Sequence, residues 1–81
     1  MRLDKYLKVS RVVKRRTVAN ELCDAKHAEV NGKVARASYE VKVGDVISLR
    51  FGDSVKQYKV LEVNEYATKE AAGNMYQLLS E

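Results

Sequence analysis

The sequence predicts an α+β fold: two N-terminal helices packed on a small, mostly antiparallel sheet. Three observations predict it. Apolar residues recur at helical spacing only within the first 25 of the 81 residues. An Asn-Gly pair stands between β-branched residues at 31–32. Beyond residue 45 the pattern turns to alternation broken by Gly-containing turns.

In the first helix, residues 3–9, Leu3, Tyr6 and Leu7 share one face, with Asp4, Lys5 and Lys8 on the other. Ser10-Arg11-Val12-Val13 connects it to a second helix over residues 15–25. There Val18, Ala19, Leu22, Cys23 and Ala25 form the apolar or small face, and Asn20, Glu21 and Asp24 lie between them. Val30-Asn31-Gly32-Lys33-Val34 asks for a type I′ hairpin, because both central residues must take positive φ. Tyr39–Val43 follows, then a turn at Gly44-Asp45. A strand over Val46–Phe51 directs Ile47, Leu49 and Phe51 to one side and Ser48 and Arg50 to the other. Gly52-Asp53-Ser54 closes a second hairpin into Val55–Val63. The adjacent Val60 and Leu61 break the alternation, which calls for a bulge or for burial on both sides. Ala67–Ala72 reads as a helical turn ending near Gly73, and Met75–Leu79 as a closing strand or a second short helix. With no linker, repeat or low-complexity tract, residues 1–81 read as one domain, with a core over about 1–64 and a C-terminal extension over about 65–81.

Charge is placed unevenly along this pattern. Residues 1–16 hold seven cations, Arg2, Lys5, Lys8, Arg11, Lys14, Arg15 and Arg16, against the single acid Asp4, a net of +6. Residues 17–81 hold eight cations and ten acids, a net of −2. A cationic block of this kind seeks a polyanion, nucleic acid first. Lys14-Arg15-Arg16 falls where the second helix begins, against the positive end of its macrodipole and without Ser, Asp or Asn just before it. A phosphate there would be held by backbone N–H groups, dipole and guanidinium forks together. Arg16 is the leading candidate contact, with Asn31 and Lys33 at the hairpin tip in a second tier. By the dipole argument alone, an acid at position 16 would cost the fold nothing.

Composition excludes other classes. With 46% hydrophobic and 32% charged residues the chain can fold around a modest core, so disorder is excluded. No apolar run reaches the roughly 20 residues of a membrane span, and no signal-like segment follows Met1, so a cytoplasmic protein is expected. Cys23 and His27 are the only cysteine and histidine, too few for a zinc site of four ligands. Cys23 falls on the apolar helix face and His27 reads as a surface residue. There is no phosphate-binding glycine loop and no catalytic set, so neither enzyme activity nor a cofactor is expected. Tyr6 and Tyr58 read as core. The absence of an aromatic–basic sheet motif points to recognition of folded RNA by shape and phosphate.

RLDKYL, SR, KRRTVANEL, VNGK and VKVGDVI, in that order over residues 1–51, resemble the S-four RNA-binding domain family, named for ribosomal small-subunit protein four. The opening RLDKYLK with KRRT resembles in particular the family's free-standing ribosome-associated quality-control factors, relatives of the small heat-shock S-four proteins. The resemblance implies two helices on a small sheet (the alpha-L motif), with RNA bound by the helices and the adjoining hairpin. It further implies a monomer on stalled large subunits, in contact with rRNA and peptidyl-tRNA. There it would support alanine-tail addition by a partner elongation factor. Three positions depart from the family pattern: Lys26 for a Gly just past the second helix, Ala28 for a bulky aliphatic, and Ala37 for a proline. Two rival readings are a helix-turn-helix DNA-binding regulator, for which Asn20 alone could read bases, and a detached RNA-targeting subunit of an RNA-modifying enzyme.

Overall fold

A computed structural model describes residues 1–80. Helices α1 (Leu3–Val9) and α2 (Arg16–Asp24) precede β1 (Ala28–Val30), β2 (Lys33–Val34), β3 (Val46–Phe51) and β4 (Ser54–Val60); α3 (Lys69–Ala72) and β5 (Tyr76–Ser80) complete the fold. The strands form one antiparallel sheet in the order β2-β1-β3-β4-β5. The expected α+β architecture is therefore present. β5 settles the open choice for the last segment in favour of a strand, and Thr68 caps α3 by accepting from the Ala71 N–H.

Leu3, Tyr6 and Leu7 of α1 and Ala19 and Cys23 of α2 meet Ala28, Val30, Ile47, Leu49, Tyr58 and Val60 of the sheet in one core. Val18 and Ala25, expected on the apolar face of α2, are exposed; a nine-residue helix with small residues facing inward buries a stripe only Ala19 and Cys23 wide, with Leu22 at its edge. Burial, then the charges of Asp4 and Asp24, push the Cys23 thiol up to about 11, which keeps it protonated and inert at neutral pH. The segment after residue 64 joins the same core: Met75 is fully buried, its carbonyl accepts the Tyr6 hydroxyl at 2.7 Å, and the Tyr76 ring meets Tyr58 edge-on at 5.3 Å. β4 stops at Val60, leaving Leu61 exposed, and the register shift falls between Gln57 and Tyr58 opposite β5.

Residues 39–43 do not form a strand of the sheet. Their carbonyls and those just before them serve α1 instead: Leu3 N–H donates to Tyr39 at 2.8 Å and Asp4 N–H to Ala37 at 3.2 Å, while Arg2 and Glu40 form an isolated bridge. The loop thus satisfies donors that open α1 and would otherwise lack partners. Two buried carboxylates brace this arrangement. Asp4 accepts from the Lys5 N–H at 2.8 Å, Arg16 Nε at 3.1 Å, Arg2 Nε at 3.3 Å and Asn20 Nδ2 at 3.3 Å, joining α1 to α2. Asp45 accepts from the Lys42 N–H and the Tyr39 hydroxyl, both at 2.9 Å, and from Asn31 Nδ2 at 3.0 Å. Asn31 and Gly32 take φ of 53° and 84°, the positive pair the hairpin demanded.

Both long helices end on a cation in the left-handed region, Arg11 at φ 64° and Lys26 at φ 63°. At α2 the bonds are those of a Schellman motif: His27 N–H to the Leu22 carbonyl at 2.8 Å and Lys26 N–H to the Cys23 carbonyl at 3.0 Å. The helix ends as a glycine-terminated one does, with a lysine bearing the strain. Replacing Lys26 by Gly should therefore raise stability by up to about 1 kcal/mol, read as a higher melting temperature. A lower one would place the strain elsewhere.

Burial would raise the pKa of Asp4, but the Arg16 hydrogen bond, the Lys5 N–H and the charges of Arg16 and Arg2 outweigh it and hold the carboxyl below its ordinary 3.8. At Asp45, burial is likewise outweighed, by the Lys42 N–H, Asn31, Tyr39 and the Lys42 charge. A depressed carboxyl contributes stability that is complete above its unfolded value and lost as pH falls through the lower folded one. Unfolding should thus set in as pH drops below about 4, followed by circular dichroism. Asp4→Asn and Asp45→Asn should each cost about 1–3 kcal/mol at neutral pH and flatten the acid limb. An acid limb as steep in both variants as in the parent would remove these carboxylates from the account.

Candidate nucleic-acid interface

The expected contact residues occupy unequal positions. Lys8, Arg11, Lys14 and Arg15 are exposed. Arg15 is the N-cap residue of α2, in extended backbone and with no side-chain cap bond. Arg2 and Arg16 approach from two sides of Asp4; their side chains remain 52% and 47% exposed, whereas that of Asp4 is 2% exposed. Each guanidinium therefore spends part of its donor fork on a fixed carboxylate and presents the rest to solvent. A shallow depression lined by Arg2, Asp4, Arg16, Thr17 and Asn20 marks where they converge.

Two expected residues are otherwise engaged. Lys5 lies 3.6 Å from Glu65, a part-exposed pair. Asn31 donates to Asp45 and accepts the Val46 N–H at 3.0 Å, so both ends of its amide maintain the hairpin. The buried carboxylate that holds this turn residue lies fourteen positions further along the chain, so the amide braces the hairpin while Asn31 itself stays exposed at its tip. Lys33 is exposed on β2. Asn20, the one base reader the DNA-binding rival could offer, is turned to Asp4.

The loop over α1 adds residues the sequence reading missed. A groove of about 520 Å³ runs between α2 and residues 34–38, lined among others by Arg2, Asn20, Lys26, Arg36 and Ser38. Arg36 lies two residues past β2, outside the N-terminal charge block, and only the folding of that loop against α1 brings it beside Arg2. Its sole signal in the sequence was a cation just after a predicted hairpin. Lys26 reaches the groove through its place at the end of α2. The candidate interface is thus a mainly cationic face spanning both helices and the loop after the hairpin, with Asp24 the one acid in the groove and with Arg2 and Asn20 common to the groove and the Asp4 depression. Such a face can attract phosphates, and its mixture of anchored and free cations suits folded RNA. His27 is exposed, and no group of metal-ligating side chains occurs among the described residues.

Comparison with known proteins agrees with this geometry. Residues 1–47 match the S4 domain. The chain is 51% identical over its full length to the RQC P-site tRNA stabilizing factor of Streptococcus pneumoniae, covering 92% of that protein. It is 48% identical over its full length to the factor of the same name from Bacillus subtilis, covering 94% of it. The solved structure of trimeric heat shock protein 15 from Vibrio cholerae superposes with a TM-score of 0.86 at 28% identity, over 98% of this chain and 81% of that one. The solution structure of HP1423 gives 0.83 at 31% identity, over 100% and 99%. From the buried Asp4 with its two arginines to the hairpin beyond α2, the chain belongs to the S4 domain family, alongside the RQC P-site tRNA stabilizing factors.

Proposed function

We propose that this protein is a non-enzymatic, single-domain RNA-binding factor of the cytoplasm that acts on stalled large ribosomal subunits. It contacts rRNA and peptidyl-tRNA there as a monomer and supports alanine-tail elongation by a partner factor of ribosome-associated quality control. The observation that carries this reading is the cationic face itself, centred on two half-exposed arginines held by one buried carboxylate. The names of its full-length relatives, which join quality control to P-site tRNA, support the ribosomal setting. The contacts are Arg2, Lys8, Arg11, Lys14, Arg15 and Arg16, with Lys26, Lys33 and Arg36 beside the hairpin and Lys5 in a lesser part. The commitment of Asn20 to Asp4 weighs against the DNA-reading alternative.

The Asp4 pair overturns the expectation that an acid at position 16 costs the fold nothing. Arg16→Glu sets a carboxylate against buried Asp4, so it should lose both subunit co-sedimentation and about 1–2 kcal/mol of stability, the latter limited by solvent at the half-exposed guanidinium. Arg15→Glu should weaken co-sedimentation about tenfold with an unchanged melt, since Arg15 has no such partner role. Large-subunit association unchanged in both variants would defeat the proposed site.

Affinity for purified large subunits should also depend on salt. If about four to six of these cations neutralise phosphates, log K should fall against log salt with a slope of roughly −3 to −5 in a titration. A slope near zero would make the block an ordinary solvated surface.

A further inference from the structure

The hairpin carries a second cleft, also about 520 Å³, lined by Val30, Asn31, Lys33, Val34, Ala35 and Tyr39. Val30 and Ala35 are buried, whereas Val34 is 56% exposed on a two-residue strand. The Tyr39 ring is half-buried, and its hydroxyl donates to the same Asp45 carboxylate that receives Asn31. One buried anchor therefore holds both the aromatic ring and the hairpin turn, which leaves the cleft preformed. Its volume lies within the range of about 300–1,000 Å³ usual for small-molecule sites, ample for one nucleotide and too small for a helix.

Charge identifies the occupant. Lys33 lines the cleft, and Arg36 lines the neighbouring groove, which shares Val34 and Ala35 with it. An apolar, aromatic-lined slot flanked by cations matches one nucleotide: a flat apolar base within and phosphates outside. An apolar side chain from a protein would leave the cations unmatched.

We infer that this cleft takes a single unpaired base of the bound RNA, against Tyr39 and Val34, with the adjoining phosphates on Lys33 and Arg36. The inference rests on the proposed RNA-binding function and adds to it a contact that phosphate recognition alone does not need.

Tyr39→Phe keeps the ring and loses the Asp45 bond; Tyr39→Leu loses both. Their comparison isolates the ring from the stability effect they share. Affinities are measured for protein-free large-subunit rRNA, for tRNA and for intact large subunits, each across a salt series, beside thermal melts. Tyr39→Leu should bind at least one RNA about tenfold more weakly than Tyr39→Phe, with the same salt slope, because stacking releases no counterions. The RNA affected identifies the source of the base. Val34→Ser, at a position more than half exposed, should weaken binding in the same direction and serves as the test if Tyr39→Leu fails to fold. Equal affinity in the two Tyr39 variants, or an unaffected Val34→Ser, would overturn the inference while leaving RNA binding intact. A loss confined to intact subunits would overturn it in favour of a protein contact. Failure of the parent protein to bind any of the three would instead remove the RNA-binding reading, and the inference with it.

Discussion

The geometry of the cationic face depends on the burial of one carboxylate. Asp4 is 1% exposed, and a charge in that position costs several kcal/mol unless donors surround it. Four do: one backbone N–H, two guanidinium groups and one amide, drawn from α1, its N-cap and α2. The same bonds that make the carboxylate tolerable bring Arg2 and Arg16, fourteen residues apart, to one point and restrict their rotamers. Long cationic side chains lose much conformational freedom when they bind phosphate, and these two have lost part of it on folding. Fold and the placing of both guanidinium groups are thus coupled through a single group.

Asp45 repeats the device at the other end of the interface. It joins the hairpin turn, the loop over α1 and the start of β3 through three donors. Between the two anchors the loop gives its carbonyls to the start of α1, which carries Arg36 and Ser38 to the groove and takes residues 39–43 out of the sheet. Of the two left-handed cations, Lys26 lines the groove. Arg11 and Lys26 occupy positions where glycine would be less strained, and both are exposed at helix ends where a cation also meets the negative pole of the dipole.

Much of this was legible in the chain. α1 runs over the expected residues, the Asn-Gly hairpin has its positive φ pair, β3 buries Ile47 and Leu49 as read but leaves Phe51 exposed at its end, and α3 ends at Gly73. These features rest on local rules: helical spacing, turn chemistry and strand alternation. The readings that changed involve partners distant in sequence. Val18 and Ala25 turned outward because a short helix packs only a narrow stripe. Asn31 gained a bracing role, and position 16 passed from a residue free to change to one held by Asp4, because each found a buried carboxylate twelve or more residues away.

Residues near one another in the chain were enough to set the elements from α1 to β4, the hairpin turn and the concentration of positive charge near the N-terminus. Each follows from residues within a few positions of one another, where backbone geometry leaves few choices. Tertiary structure alone decided which cations are anchored and which are free, that Arg36 and Lys26 join the face, and that Val34 and Tyr39 line a preformed cleft. Those outcomes depend on desolvation: a carboxylate removed from water must gather its donors wherever in the chain they lie, and no local pattern records which donors it will find.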